Sequence, residues 1–181
     1  NCSSLKEIPY LPASILQSHC YYQMFKGCTS LTSVNISAFE ILHKHSCAYM
    51  FKGCSLLHEV SELKSITAAV NCYQGMFEDC KKLKNITLPS TLQRLESHIF
   101  NGAESLEEIT IPNNKIYITD FIFYNCLSLS KVAIPYGVYH IGESAFGNCI
   151  NLIEINLPST ITHIQRNAFR GCTHLSLAKV P

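Results

Sequence analysis

The sequence predicts a solenoid, in which one short structural unit coils repeatedly around a shared apolar core. One pattern, Phe-x-x-Cys-x-x-Leu-x-x-(Ile/Val)-x-(Leu/Ile)-Pro, recurs in eight copies through the 181 residues. Its phenylalanines keep a strict spacing, with two steps of 26 residues followed by four of 23: Phe25, Phe51, Phe77, Phe100, Phe123, Phe146 and Phe169. A unit of this length cannot bury its apolar side chains alone, so its copies must stack on one another.

Each copy is expected to contribute one strand to a parallel sheet. Its Leu-x-x-Ile-x-Ile segment alternates apolar and polar residues, as a half-buried strand does. The apolar residues expected to face the core include Ile86, Leu88, Ile109, Ile111, Ile155 and Leu157. Stacked copies place neighbouring strands about 4.8 Å apart. Proline has no N–H to donate, so a proline such as Pro158 ends the ladder after the strand.

The remainder of each copy is expected to form the opposite wall. A second apolar pair, such as Val138 and Ile141, predicts an extended, irregular segment. The segment 144–146 predicts a short helical turn that leads into a corner of small residues. The early copies are longer than the later ones, so we expect one domain, 1–181, with wider coils in 1–76 and narrower coils in 77–181.

One position departs from the strand pattern. Glu62 stands where other copies carry Ile36 or Leu88. A lone buried carboxylate is costly, so a bulge that places Leu63 in the core is the preferred interpretation. A local binding notch is the alternative.

These repeats resemble a known family. The 23-residue copies are similar to the shorter class of the BspA-like leucine-rich repeats, as in IPYGVYHIGESAFGNCINLIEINLPSTITHIQRNAF. Two longer copies that open with MFKGC, at Met24 and Met50, look like a related class. The resemblance implies an α/β-type leucine-rich repeat solenoid. Such a solenoid is a right-handed coil with a parallel β-sheet on the concave face, and with irregular, short-strand and short helical-turn structure on the convex face. It also implies protein binding, often in adhesion, in surface proteins of bacteria and some parasitic protists.

Composition and charge argue against several classes of partner. The net charge is +1 and the Lys and Arg residues are scattered singly. Nucleic acid is not expected as a partner, because phosphate binding needs a basic stripe. Membrane insertion of this segment is not expected either, because no apolar run approaches the roughly 20 residues that span a bilayer.

The sequence offers no constellation of residues for catalysis. It contains no Ser-, Cys- or carboxylate-centred motif in a strained turn and no phosphate-cradling glycine loop. His140 and His163 share one position in the repeat, but other residue types occupy it in earlier copies, which indicates a solvated face. We therefore expect no enzyme activity, no cofactor and no metal.

Seven of the ten cysteines occupy one repeated position, three residues after the phenylalanine where the copy includes one: Cys2, Cys28, Cys54, Cys80, Cys126, Cys149 and Cys172. Ala103 takes this position in one copy, so the position requires a small apolar side chain, which free Cys supplies. Neighbours in such a column lie about one strand spacing apart, whereas the two Cβ atoms of a disulfide lie about 3.8 Å apart, so disulfides within the column are not expected. A zinc site is not expected either, because its ligands must converge tetrahedrally on one point and the cysteines form a line. A buried column of free thiols is expected.

The other three cysteines, Cys20, Cys47 and Cys72, lie in the wider copies. A second buried column is the preferred interpretation. In a secreted protein they could instead form disulfides with the nearest column members. The alternative pairs are Cys20/Cys28, Cys47/Cys54 and Cys72/Cys80.

Outward strand residues are expected to form the partner-binding surface on the concave face. These polar, mildly acidic positions include Glu59, Asn85, Thr87, Glu108, Thr110, Lys131, Glu154 and Asn156. The face lacks Trp, Tyr and Arg, which are the usual hot-spot residues, so an ordinary solvated sheet is the alternative. Exposed tyrosines on the flanks and the convex side, such as Tyr117 and Tyr139, would form a rival surface.

Two functions are compatible with this pattern. Resemblance favours a non-enzymatic protein–protein interaction module in the ectodomain of a microbial adhesin or host-interaction protein. Its location would be the cell surface or the medium, and its partner a host extracellular or surface protein. The alternative is a cytoplasmic scaffold or targeting module, which unpaired cysteines allow equally well. Disulfides among the three additional cysteines would favour the first, and fully reduced cysteines the second.

Overall fold

The chain is a solenoid of short parallel strands. Its structure, a computed structural model, describes residues 2–92, 95–113 and 117–179, with side chains through residue 176. Within these ranges there are twelve strands and no helix: β1 (Ile15–Leu16), β2 (Ser33–Val34), β3 (Ile41–Leu42), β4 (Glu59–Val60), β5 (Thr67–Ala68), β6 (Glu108–Thr110), β7 (Tyr117–Ile118), β8 (Lys131–Ala133), β9 (His140–Ile141), β10 (Glu154–Asn156), β11 (His163–Ile164) and β12 (Leu177–Lys179). No helix long and apolar enough to cross a bilayer occurs in this part of the chain.

The strands form two walls. Even-numbered strands form the wall predicted to be concave, which we call the front sheet, in two blocks: β2-β4 and β6-β8-β10-β12. Odd-numbered strands form the back sheet, also in two blocks: β1-β3-β5 and β7-β9-β11. The prediction of a strand at Ile86 and Leu88 is wrong. Residues 84–89 form no strand and leave a gap between the two front blocks. Both side chains are nevertheless buried, as predicted.

The core between the walls contains the inward-facing strand residues and the phenylalanines. Ile155 is fully buried and Leu157 is 5% exposed. The phenylalanine rings stack from coil to coil with centroids 5.3 to 6.1 Å apart and planes within 20° of parallel. Such contacts hold each coil to its neighbours, as expected of a repeat that cannot bury its apolar residues alone.

A third wall, which we call the turn wall, carries the chain from each back strand to the next front strand. The sequence predicts a short helical turn here, but the described residues form overlapping β-turns. In the first coil, Phe25 N–H donates to Met50 O of the next coil (3.0 Å), whereas Lys26 N–H donates to Gln23 O within its own coil (3.1 Å). This alternation continues along the segment. Alternate N–H groups therefore donate to the next coil. In an α-helix these N–H groups would instead donate to the carbonyl four residues earlier in the same segment.

Every fourth residue of the turn wall has a positive φ. Asn125 and Asn148 have φ values of 60° and 59°, and asparagine tolerates this region better than most residues. The coils of Phe25, Phe51 and Phe77 have an additional position of this kind, occupied by His19, His45 and Asn71. Among the described residues of the later coils, none has a positive φ at this position. The early coils are longer because their turn wall contains one more turn.

A buried carboxylate lies where the longer turn wall meets the shorter one. Between two long turn walls, His19 N–H donates to Lys44 O (3.3 Å). At the junction the equivalent donor, Asn71 N–H, donates to the Glu96 side chain instead (2.9 Å). Glu96 is only 3% exposed. Its carboxylate supplies an acceptor that the shorter neighbour does not provide from its backbone.

The bulge predicted at Glu62 is confirmed. Glu62 is exposed, and Leu63 is buried with 4% of its surface exposed. The local backbone thus keeps the carboxylate in water, and the alternative of a local binding notch stays a hypothesis.

Candidate protein-interaction surface

The larger front-sheet block presents five of the predicted surface residues together. Glu108, Lys131 and Glu154 lie directly opposite one another on β6, β8 and β10. Thr110 and Asn156 flank Ala133 in the second outward column. All are exposed, and their neighbouring inward residues are buried. The acidic–basic–acidic row therefore lies on backbone that hydrogen bonds hold in register.

The remaining three predicted residues lie elsewhere. Glu59 is exposed on β4, opposite Ser33, in the smaller front block. Asn85 and Thr87 are exposed in the gap between the blocks. The predicted surface is therefore one compact group of five residues with three others outside the larger block.

Ion pairs beside the gap were not predicted from the sequence. Lys81 Nζ lies 2.8 Å from Glu104 Oε1, and Lys84 Nζ lies 3.6 Å from Glu107 Oε1. Each pair joins equivalent positions of consecutive coils, so opposite charges one repeat apart were the available signal. These exposed pairs contribute little to stability, because water and salt screen them.

Buried cysteines form hydrogen bonds that the sequence did not reveal. Cys28, Cys54, Cys80, Cys126 and Cys149 are buried, Cys172 is partly buried and Cys2 is exposed. From Cys54 onward, the thiol donates to the carbonyl of a phenylalanine one coil earlier, at 3.1 to 3.3 Å: Cys54 to Phe25, Cys80 to Phe51, Cys126 to Phe100, Cys149 to Phe123 and Cys172 to Phe146. Burial raises the pKa of Cys54 to about 12, which keeps the thiol protonated at neutral pH, as a donor must be.

Replacing Ala103 with cysteine should stabilise the chain. Ala103 is fully buried at the equivalent position, and the bonding pattern makes Phe77 O the acceptor for a thiol there. We expect Ala103→Cys to gain about 0.5–1 kcal/mol in the free energy of unfolding, measured by urea denaturation under reducing conditions. Cys126→Ala should lose a similar amount. A destabilised Ala103→Cys together with an unaffected Cys126→Ala would show that the thiol bonds contribute nothing.

The second cysteine column is wrong as predicted. Cys47 and Cys72 are buried, but Cys20 is exposed. Cys47 also differs in register from the other two, because Tyr21 N–H donates to Ser46 O just as Cys47 N–H donates to Cys72 O. Cys47 therefore aligns with Tyr21, and Cys72 with Ser46. All ten cysteines are free thiols, so none of the alternative disulfide pairs is present.

The rival tyrosine surface lies on the back sheet. Tyr117 contacts Tyr139 edge to face, with centroids 4.6 Å apart. The Tyr117 ring also lies 5.6 Å from that of His140, which is 6.3 Å from that of His163. Within the described ranges, no three His, Cys, Asp or Glu side chains are grouped so that they could hold a metal ion.

Comparison with known proteins identifies the repeat. The family model of the BspA type leucine-rich repeat region matches in six copies, over residues 1–74 and 48–176. A leucine-rich repeat protein from Bacteroides ovatus is 30% identical, with a TM-score of 0.77 over 88% of this chain and 40% of its own. The leucine-rich repeat protein of T. pallidum is 24% identical and has the same fold, with a TM-score of 0.69 over 94% of this chain and 75% of its own.

The chain thus spans 40% of the Bacteroides ovatus protein. No curated protein sequence matches it significantly. The family model covers most of the chain, and the parallel coils described above have the architecture of the Bacteroides ovatus protein. The chain therefore belongs to the BspA-type leucine-rich repeat family.

Proposed function

We propose that this chain is a non-enzymatic protein-binding module in a microbial surface protein, and that its binding surface is the larger front-sheet block. The observation that carries the proposal is the exposed row Glu108, Lys131 and Glu154, held in register on adjacent strands. Alternating charge on rigid backbone favours a partner with the complementary pattern and steers its approach. Family membership supports the proposal, because leucine-rich repeats are a scaffold type that binds proteins.

Photo-crosslinking would test the proposed face. A benzoylphenylalanine placed at Ala133, in the centre of the block, should crosslink to extracellular or surface proteins of host cells. The matched control places the same group at Tyr136, which is 72% exposed and lies outside the strands. We expect crosslinking from Ala133 that Lys131→Glu reduces about tenfold, since charge reversal sets three acidic side chains in one row. Equal crosslinking from Tyr136 would contradict a front-sheet surface.

An intracellular scaffold is the second candidate, and the ten free cysteines favour it. Cytosolic proteins keep their thiols reduced, whereas surface proteins often form disulfides. Labelling intact cells of the source organism with a membrane-impermeant maleimide separates the two. Labelling of the exposed Cys20 would support the surface location. Labelling that occurs only after permeabilisation would support the scaffold.

A further inference from the structure

The back sheet contains a notch that is not part of the proposed front-sheet surface. It has a volume of about 370 Å³ and is lined by Ser97, Tyr117, Thr119, Asp120, His140 and Gln165. We call these six residues the back notch. They come from four successive coils, so the notch depends on the solenoid and is absent from any single repeat.

Gly142 leaves room for the Asp120 carboxylate that lines the back notch. Gly142 lies between Thr119 and Gln165 in the repeat register. A Cβ on Gly142 would come within 2.5 Å of Asp120 Oδ1 and 2.6 Å of the Thr119 carbonyl carbon. Any larger residue would therefore displace the Asp120 carboxylate. The missing side chain lets that carboxylate cross towards the next coil, where its Oδ1 accepts a hydrogen bond from Glu143 N–H (2.8 Å).

The charges around the back notch favour a cation. Asp120 has no Lys or Arg ion-pair partner among the described residues. The nearby Arg166 pairs with Glu143, with Nε and Oε1 2.9 Å apart. Among the residues that the structure describes, no Lys or Arg lines the notch. The half-buried Asp120 carboxylate would therefore attract a positively charged group of a partner.

The shape of the lining selects the kind of cation. Tyr117 is 42% exposed, and its ring face attracts cations. A guanidinium is planar, stacks on aromatic rings and donates to a carboxylate in a fixed geometry, whereas an ammonium is a more strongly hydrated point charge. The Gln165 side chain is exposed and offers an amide oxygen as a further acceptor.

We propose that the back notch binds an arginine side chain of a partner protein, with the guanidinium on the Tyr117 ring and directed at Asp120. This inference rests on the proposed protein-binding function and adds a second contact to it, on the wall opposite the front sheet. A partner that reaches both walls would gain affinity from linking two weak contacts.

Titration of the isotope-labelled chain with N-acetyl-arginine amide tests the proposal. We expect saturable shifts of the backbone NMR signals of Asp120, Gly142 and Gln165 in the millimolar range that is usual for a single weak contact. The matched probe is N-acetyl-citrulline amide, which has the same shape without the charge. It should bind about tenfold more weakly. Equal binding of the two, or no saturable shift with arginine, would overturn the proposal.

Two variants locate the site. Asp120→Asn removes the charge but keeps an oxygen for Glu143 N–H, and Tyr117→Leu removes the ring. Each should weaken arginine binding about fivefold or more, while Glu154→Gln on the front sheet should leave it unchanged. Unchanged binding in both notch variants would also overturn the proposal. Crosslinking from Ala133 is measured separately, so failure of the back notch is distinguishable from failure of the front-sheet function.

Discussion

Phe123→Ala should cost about 3–5 kcal/mol in the free energy of unfolding, within the usual range for truncating a buried phenylalanine. The Phe123 side chain is fully buried. Its ring stacks on Phe100 at 5.8 Å and on Phe146 at 5.3 Å. Truncation removes contacts to both neighbouring coils at once, and neither coil can close the cavity without losing its own register.

Urea denaturation followed by circular dichroism measures this loss. Tyr136→Ala is the matched control, because it truncates an aromatic ring that is 72% exposed. Its cost should stay within about 0.5 kcal/mol. Similar losses in the two variants would mean that the phenylalanine stack does not hold the coils together.

Glu96→Ala should cost about 1.5–3 kcal/mol, the usual range for a hydrogen bond to a charged group. Its carboxylate accepts Asn71 N–H at the junction between the long and short turn walls. The opposing effect is the desolvation cost of a buried carboxylate, which removal would relieve. We expect the lost acceptor to dominate, because removal leaves a backbone N–H with no acceptor in the shorter coil.

Two comparison variants separate these effects. Glu96→Gln keeps a side-chain oxygen and should lose less stability than Glu96→Ala. Gln165→Ala changes the equivalent position of the last coil, where the side chain is exposed, and should cost less than about 0.5 kcal/mol. Unchanged or increased stability in Glu96→Ala would show that desolvation outweighs the hydrogen bond.

The alternation of apolar residues and the spacing of the phenylalanines were sufficient to predict the solenoid and its inward-facing residues. Ile155 and Leu157 are buried, because in a strand with period-2 alternation the apolar residues share one face and that face packs on the core. Leu63 was predicted inside on energetic grounds alone, since a buried Glu62 would have had no partner. Family resemblance added the fold class but not the path of the turn wall.

The turn wall was mispredicted because local sequence does not show where an N–H group will find its acceptor. The segment 144–146 resembles a helical turn when viewed alone. In the folded chain, however, Phe146 N–H donates to Ala168 O in the next coil. The gap at Asn85 was also missed. It depends on the junction between coils of two lengths, not on the strand pattern, which continues through Ile86 and Leu88 unchanged.

The back notch could not be predicted because its two determinants act across coils. Gly142 is informative only beside Asp120, whose carboxylate occupies the space of the missing side chain. In sequence these residues lie in consecutive copies, at positions that do not correspond, and belong to no motif. The tyrosines were recognised as a possible surface, but their contacts with His140 required the register of the back sheet.

The coil-to-coil hydrogen bonds of the turn wall set the spacing of every side chain on the front and back sheets, and NMR can detect them directly. Scalar couplings across hydrogen bonds should connect Phe123 N to the carbonyl carbon of Ala145 and Asn125 N to that of Gly147, because each pair is bonded between consecutive coils (2.8 and 2.9 Å). Couplings from Phe123 N to the carbonyl carbon of Thr119, four residues earlier, would show a helical turn instead. That result would contradict the solenoid described here.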